Sequence, residues 1–448
     1  MTGTMARAAL AVLGLALLAT GSPARAQDDA ERLRIHGSNS IGTTLMPALV
    51  EDWLASMEYR QVRRVPRTPA LMEIHAERDG MPLVVEIGKQ GATPGFAALV
   101  RGDAELAMLA RQPDARERDA GWQLGDLASP DQEFVMALNG ATVVVHRDSP
   151  LHRIDLAQLR ALLDGRVQDW SQLGRGAGAV RLQLGPERAG LEDFLRERVT
   201  AGRAPRNAHL QRHADLRAAL RAVARDPGAL AIVELTTPLP AGVRALAVAD
   251  GGIAVAPDAG GVRSRDYPLV RPYTLYGGQV MSALGRSFAL YTVTPRAQAV
   301  VRATGLVALD MAAPVDAGAV PERMPAEYRD AVAGAVRLPL ALRFNLGSLT
   351  TIYDGYSAQQ LERVVAWMKR PENRGRSLSV VGFASEDPGN RLFATMTSNN
   401  RADIVVAYLV ERGIPVQRSR GLGALQPLAA GDDERARRRN ERVELWLL

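Results

Sequence analysis

The sequence predicts an α/β protein followed by a smaller α+β unit, and three observations carry that expectation. Short apolar strands alternate with Gly-rich turns and helical stretches through most of the chain. A stretch rich in proline and small residues, 311–335, then reads as a linker. Beyond it a strand, helix, strand, helix, strand order makes a two-layer sandwich, with helices on one sheet. A chain of 448 residues exceeds one ordinary core, in keeping with two or three domains.

The chain opens with Arg7, an apolar run from Ala8 to Thr20, and Ala24-Arg25-Ala26. These are the charge, hydrophobic stretch and small-residue cleavage site of a secretory signal peptide over 1–26, so the mature chain is expected to begin near Gln27. No later segment supplies the roughly 20 continuous apolar residues that cross a bilayer, and the mature protein is expected to be soluble. There is no Cys, which rules out disulfides and a lipid anchor of the usual bacterial form. The net charge of +6 is Arg scattered among 49 acidic residues, with Lys only at 89 and 369. That pattern points away from nucleic acid.

The first strand, Leu33 to Ile35, turns through His36-Gly-Ser-Asn-Ser-Ile-Gly-Thr-Thr44 into a helix over Leu45 to Met57. A helix start leaves backbone N–H groups unpaired, and Ser38, Asn39, Ser40 and Thr43 surround them, which is the chemistry of a small oxyanion site. An ordinary N-cap would use the same residue types. Pro82 to Ile87 is a second strand, with a Gly-rich turn through Thr93 and a helix over Phe96 to Arg101. Leu106 to Ala110 is a third, ending at Arg111. Ser38, Thr93 and Arg111 are thereby expected at the carboxyl ends of strands, where open α/β sheets bind ligands.

From Leu33 to about Asp310 the chain resembles the periplasmic phosphate-binding proteins of ABC transporters. The resemblance rests on the Gly-Ser-Asn-Ser-Ile-Gly loop, Gly-Phe-x-Ala-Leu, Ala-Glu-Leu-Ala-Met, Val167-Gln-Asp-Trp170-Ser, Asp226-Pro-Gly-Ala-Leu and Tyr267-Pro-Leu-Val-Arg271-Pro. It implies a two-lobed periplasmic binding protein fold over 27–310, with a second lobe over about 139–246 and an oxyanion held between the lobes. The family's second-lobe Arg and Ser-Gly-Thr are replaced by Gly185-Pro-Glu-Arg188-Ala-Gly190-Leu, where Arg188 is left to supply the charge. The Ser-Ser before Arg111 is replaced by Leu109-Ala110. His209 and His213, four apart, read as a solvated helix face rather than a metal pair.

In the C-terminal part, Val336 to Asn345 reads as a strand and Gln359 to Lys369 as a helix with Leu361, Val364, Val365 and Met368 on one face. Ser377 to Phe383 is a buried strand, Thr397 to Arg412 a helix, and Arg442 to Leu447 a closing strand. Over Leu342 to Leu447 this unit resembles the OmpA-like peptidoglycan-binding domain, through Ser398-Asn-Asn-Arg401-Ala402, Gly421-Leu-Gly423 and Arg439-Asn440-Glu-Arg442-Val-Glu. The resemblance implies that Arg401 holds the carboxylate of diaminopimelate in the wall peptide, as a guanidinium fork suits. The family Asp falls on Ser385 and the family Asn before the helix on Ala394, leaving Asp387 or Glu386 as a displaced carboxylate. Ser398 completes the wall-binding set.

Together these readings describe an exported, non-enzymatic envelope protein, without cofactor or metal. Its lobes would take a small oxyanion, phosphate-like, and its 336–448 domain would tether it to peptidoglycan in the periplasm, at the cell wall or the inner face of the outer membrane. An ABC transporter or an envelope protein is the expected partner. The alternative is an envelope scaffold whose lobes have lost the anion and bind a protein. A hydrolase is disfavoured, because neither a nucleophile with its base nor a metal cluster is apparent.

Overall fold

The computed structural model describes residues 30–186, 190–311, 324–345, 352–386 and 391–448. The expected signal peptide, Arg188 and Asp387 lie outside the described residues. An 11-stranded sheet organises the N-terminal part. At its centre Glu31–Gly37 is flanked by Met81–Gly88 and Leu106–Leu109, both parallel to it, so all three strands end on one edge. The helix that follows the first strand buries Met46, Leu49, Val50, Trp53 and Leu54, the apolar stripe of an amphipathic helix. Trp53 meets Phe288 edge-on, ring centres 5.2 Å apart, in the first lobe's core.

The 14-residue strand Glu133–His146 carries the chain into the second lobe, buried along nearly its whole length. Its first half pairs with Val270–Gly277, its second half with Ala229–Glu234, antiparallel in both cases. The second lobe was expected to end near Leu246. Val248, Val262, Tyr267 and Leu269 still pack in its core, however, and the chain returns only at Val270–Gly277.

Several elements escape the sequence pattern. Arg60–Thr68 and Leu71–Arg78 form an antiparallel hairpin on the sheet edge; the outer strand is mostly exposed and Arg-rich, so no alternation marks it. The first long helix opens with a π-helical turn over Ile41–Leu45 before Met46–Ser56. His209 and His213 flank a strand, Leu210–Arg212, and not a helix face as expected; His213 bonds Gln183 at 2.7 Å.

The C-terminal sheet joins Val336–Arg343, Arg442–Leu447, Leu378–Gly382 and Val416–Gly421 in that order. The helices Gly355–Met368 and Arg391–Glu411 cover it, the first burying the expected Leu361, Val364, Val365 and Met368 and the second Ala402, Val405 and Leu409. The 311–335 linker holds only in part. Ala326–Ala331 is helical, and Tyr328 is buried against Phe383 and Trp446 with its hydroxyl bonded to Glu444. This stretch therefore belongs to the C-terminal core.

The C-terminal domain packs on both lobes. Asp266 accepts from Arg337 at 2.7 Å and from Arg343 at 2.9 Å. Arg265 reaches Asp354 at 2.9 Å, and the Gly355 amide donates to Glu133 at 3.0 Å. On the second lobe, Ile253 and Pro427 share a backbone bond of 2.9 Å, and Asp250 and Ala430 one of 2.8 Å.

Candidate functional site

The loop after the first strand is held by close backbone packing. A Cβ on Gly37, whose φ is +148°, would stand 2.0 Å from the Met108 carbonyl oxygen. The Ser38 amide donates to that carbonyl at 2.8 Å, and the Gly91 amide to the Gly37 carbonyl at 2.9 Å. Glycine at 37 thus lets the Ser38 and Thr93 loops converge, as the three strand ends require. Ser38 is buried, Asn39 exposed, and the Asn39 carbonyl accepts the Thr43 hydroxyl at 2.8 Å.

Arg111 reaches Thr93 at 2.9 Å, so these two candidates meet. The same guanidinium makes a two-pronged pair with Glu117, at 2.6 and 2.7 Å, which raises its pKa further. Glu117 is itself fixed by a capping box with Asp114. The pair orients Arg111 but offsets its charge.

Second-lobe residues close on the same edge. Gly190 begins the helix Gly190–Arg198, and a Cβ there would lie 2.5 Å from the Ser40 hydroxyl. Arg271, from the returning strand, donates to the Gly190 carbonyl and to the Tyr273 hydroxyl, each at 3.2 Å. It is 7% exposed, and its Nε has no partner among the described residues. Two helix starts and a buried cation therefore converge between the lobes. Glu197 stands nearby; burial pushes its carboxyl up, against the pull of Arg111 and Arg271.

Arg271 and Glu117 were not among the expected site residues, although each had a signal: Arg271 sits in Tyr-Pro-Leu-Val-Arg-Pro, and Glu117 stands three residues after Asp114. Glu197 had none.

The C-terminal site departs further from expectation. Ser398 is fully buried and closed, donating to the Thr395 carbonyl at 2.8 Å and accepting from Gly423 at 2.9 Å, so it serves the fold and does not face a ligand. Arg401 is paired with Glu441 and lies 5.0 Å from the centre of the Phe344 ring. The Ser385 hydroxyl is buried without a partner among the described residues, as is one guanidinium nitrogen of Arg401. Glu441, not foreseen, is the carboxylate that Arg401 meets in this structure.

Two lobes on one continuous sheet, joined by paired crossing strands, with polar groups converging between them, define a two-lobed binding-protein architecture. The chain belongs to the PBP superfamily, whose domain model matches residues 69–296, and residues 347–441 match the OmpA family. Among solved structures it is similar to an ABC-type phosphate transport receptor from Vibrio cholerae, at 16% identity and a TM-score of 0.48, covering 62% of this chain and 99% of that one. It is also similar to PstS from Borrelia burgdorferi, at 12% identity and a TM-score of 0.47, covering 62% and 98%. No curated protein matches the chain. Among the described residues no helix is long and apolar enough to cross a membrane.

Proposed function

We propose that this is a non-catalytic envelope receptor, exported to the periplasm, whose lobes take a small oxyanion of the phosphate class and whose C-terminal domain attaches it to peptidoglycan. One observation carries the anion reading. The Ser38–Ser40 helix start and the Gly190 helix start converge on Arg271, a buried cation bonded only to neutral oxygens among the described residues. Ser38, Asn39, Ser40, Thr93 and Arg111 complete the set, to which the sequence alone adds Arg188. At the wall site, Arg401 takes the carboxylate of the peptide and Ser385 or Glu441 its amine, with Asp387 the further carboxylate that the sequence alone offers. Handing the anion to an ABC transporter fits this arrangement.

The scaffold reading draws support from a different observation: Glu117 offsets Arg111, and the C-terminal domain is bonded to both lobes, an arrangement suited to a rigid platform for an envelope protein. Equilibrium dialysis of the mature chain against labelled phosphate, alongside co-sedimentation with purified peptidoglycan, separates the two. The receptor reading expects saturable phosphate binding, and retention of the wall without phosphate would leave the scaffold.

A further inference from the structure

A cavity of about 520 Å³ lies where the two lobes and the C-terminal domain meet. Its size is that of a small-molecule pocket, larger than one oxyanion requires. Lobe 1 contributes Arg111 and Arg118, lobe 2 Phe194 and Arg198, and the returning strand Arg271. The C-terminal domain supplies Phe344, Arg435 and Arg438, with Arg265, Arg343 and Arg439 also in the wall.

The charges in this wall do not balance. Asp250 alone serves Arg198, Arg435 and Arg439. Arg265 has Asp354, Arg343 has Asp266, and Arg438 has Glu434. Arg271 and Arg118 donate only to neutral oxygens among the described residues. The Nε atoms of Arg265, Arg271 and Arg439 are buried without partners there as well. Burial pushes Arg439 down to about 10. Arg118 acts across the seam: after Arg438, it helps to hold the Glu434 carboxyl below its usual range. Arg271 and Arg439 are largely out of water, while Arg118 and Arg435 are exposed at the rim; a buried guanidinium short of a carboxylate is costly, and an anion that accepts from it offsets that cost.

We infer that this seam cavity binds an extended polyanion with the chemistry of a linked di- or triphosphate, gripped by arginines from both lobes and the C-terminal domain. A chain of phosphates presents many oxygens at short spacing, which forks on three walls reach together; a single carboxylate or monophosphate engages one or two. Glu197 faces the same space and restricts it to ligands with charge enough to outweigh a carboxylate. A bound polyanion would also fasten the C-terminal domain to the lobes, which the cleft between the lobes does not do. The proposal thus goes beyond the monophosphate reading, with which it shares Arg111 and Arg271.

The test titrates the full mature chain with inorganic tripolyphosphate, pyrophosphate and monophosphate at matched ionic strength. Tripolyphosphate is expected to bind one to one, at least about tenfold tighter than monophosphate, since each further charge-assisted contact is worth roughly that factor. Arg118→Gln with Arg438→Gln changes two arginines on the cavity rim and should weaken tripolyphosphate by about tenfold or more, leaving any monophosphate binding alone. Ser40→Ala with Thr93→Ala should do the reverse. Circular dichroism checks that each variant is folded, and the rise in melting temperature of the unmodified chain with tripolyphosphate gives a reading that needs no variant. Tripolyphosphate binding without monophosphate binding would uphold the cavity and remove the cleft reading. Flotation with neutral vesicles doped with a diphosphate-headed lipid, but not with undoped ones, would assign a lipid source; binding only in solution would assign a free one. Tripolyphosphate binding no tighter than monophosphate, or unchanged in the Arg118/Arg438 variant, would overturn the proposal.

Discussion

Replacing Asp266 by Asn should loosen the C-terminal domain from the lobes. Asp266 is 1% exposed, with one oxygen on Arg343 at 2.9 Å and the other on Arg337 at 2.7 Å. Burial alone would raise its carboxyl, but Arg337 and Arg343 hold it well below the usual range. Asp266→Asn keeps the shape and removes the charge, leaving two guanidinium groups facing a neutral amide. Removing one partner of a buried pair costs about 3–5 kcal/mol. Arg337 retains Glu444 at 3.2 Å, which places the loss near the lower end, about 3 kcal/mol or on the order of a hundredfold in docking. Because the carboxyl is depressed, its contribution is full above the unfolded value and is lost only as pH falls through the folded one, so neutral pH shows the whole effect. Urea unfolding followed by tryptophan fluorescence reads both parts, since Trp53 lies in the first lobe and Trp367 and Trp446 in the C-terminal domain. The wild type should unfold as one unit and the variant in separated steps. A loss below about 1 kcal/mol with one transition would refute the reasoning.

Other predictions follow from the same contacts. Burial, and then the charge of Asp354, pushes Glu133 up to about 7. A raised carboxyl contributes stability below the unfolded value of about 4.3 that is lost as pH rises through the folded one. Melting temperature should fall as pH rises from roughly 5 to 8, and Glu133→Gln should flatten the profile. Arg401→Ala should weaken co-sedimentation with peptidoglycan by roughly ten- to a hundredfold, the worth of a charge-assisted bond. Gly37→Ala should cost about 3 kcal/mol in thermal unfolding, because the backbone is left-handed there and a Cβ meets the Met108 carbonyl.

Much of the architecture was legible because burial imposes periodicity. The Leu361, Val364, Val365 and Met368 stripe arises from one-sided packing, whereas Arg442–Leu447 alternates because Val443, Leu445 and Leu447 enter the core while Arg442 and Glu444 pair, also buried, on the other face; both elements formed as read. The Arg60–Thr68 strand was not legible, since an exposed edge strand held by backbone bonds carries no apolar alternation. The helix Ala326–Ala331 hid in a Pro-rich stretch, where a single buried tyrosine anchors it. Local sequence placed Ser38, Thr93 and Arg111 on one edge, because parallel strands bring their carboxyl ends together. It did not show that Gly190 would seat against Ser40, or that Glu441 would meet Arg401. Those contacts join residues far apart in the chain, and their charges look like ordinary surface residues until the fold brings them together.

The measurement closest to the central claim is a calorimetric titration of the mature chain with phosphate and sulfate, repeated with Arg271→Gln. Arg271 is the buried cation on which the two helix starts converge. The account predicts saturable one-to-one binding in the wild type, weakened in the variant by about ten- to a hundredfold, as for the loss of a hydrogen bond to a charged group. Flat titrations for both anions up to millimolar concentration, or equal affinity in Arg271→Gln, would contradict it.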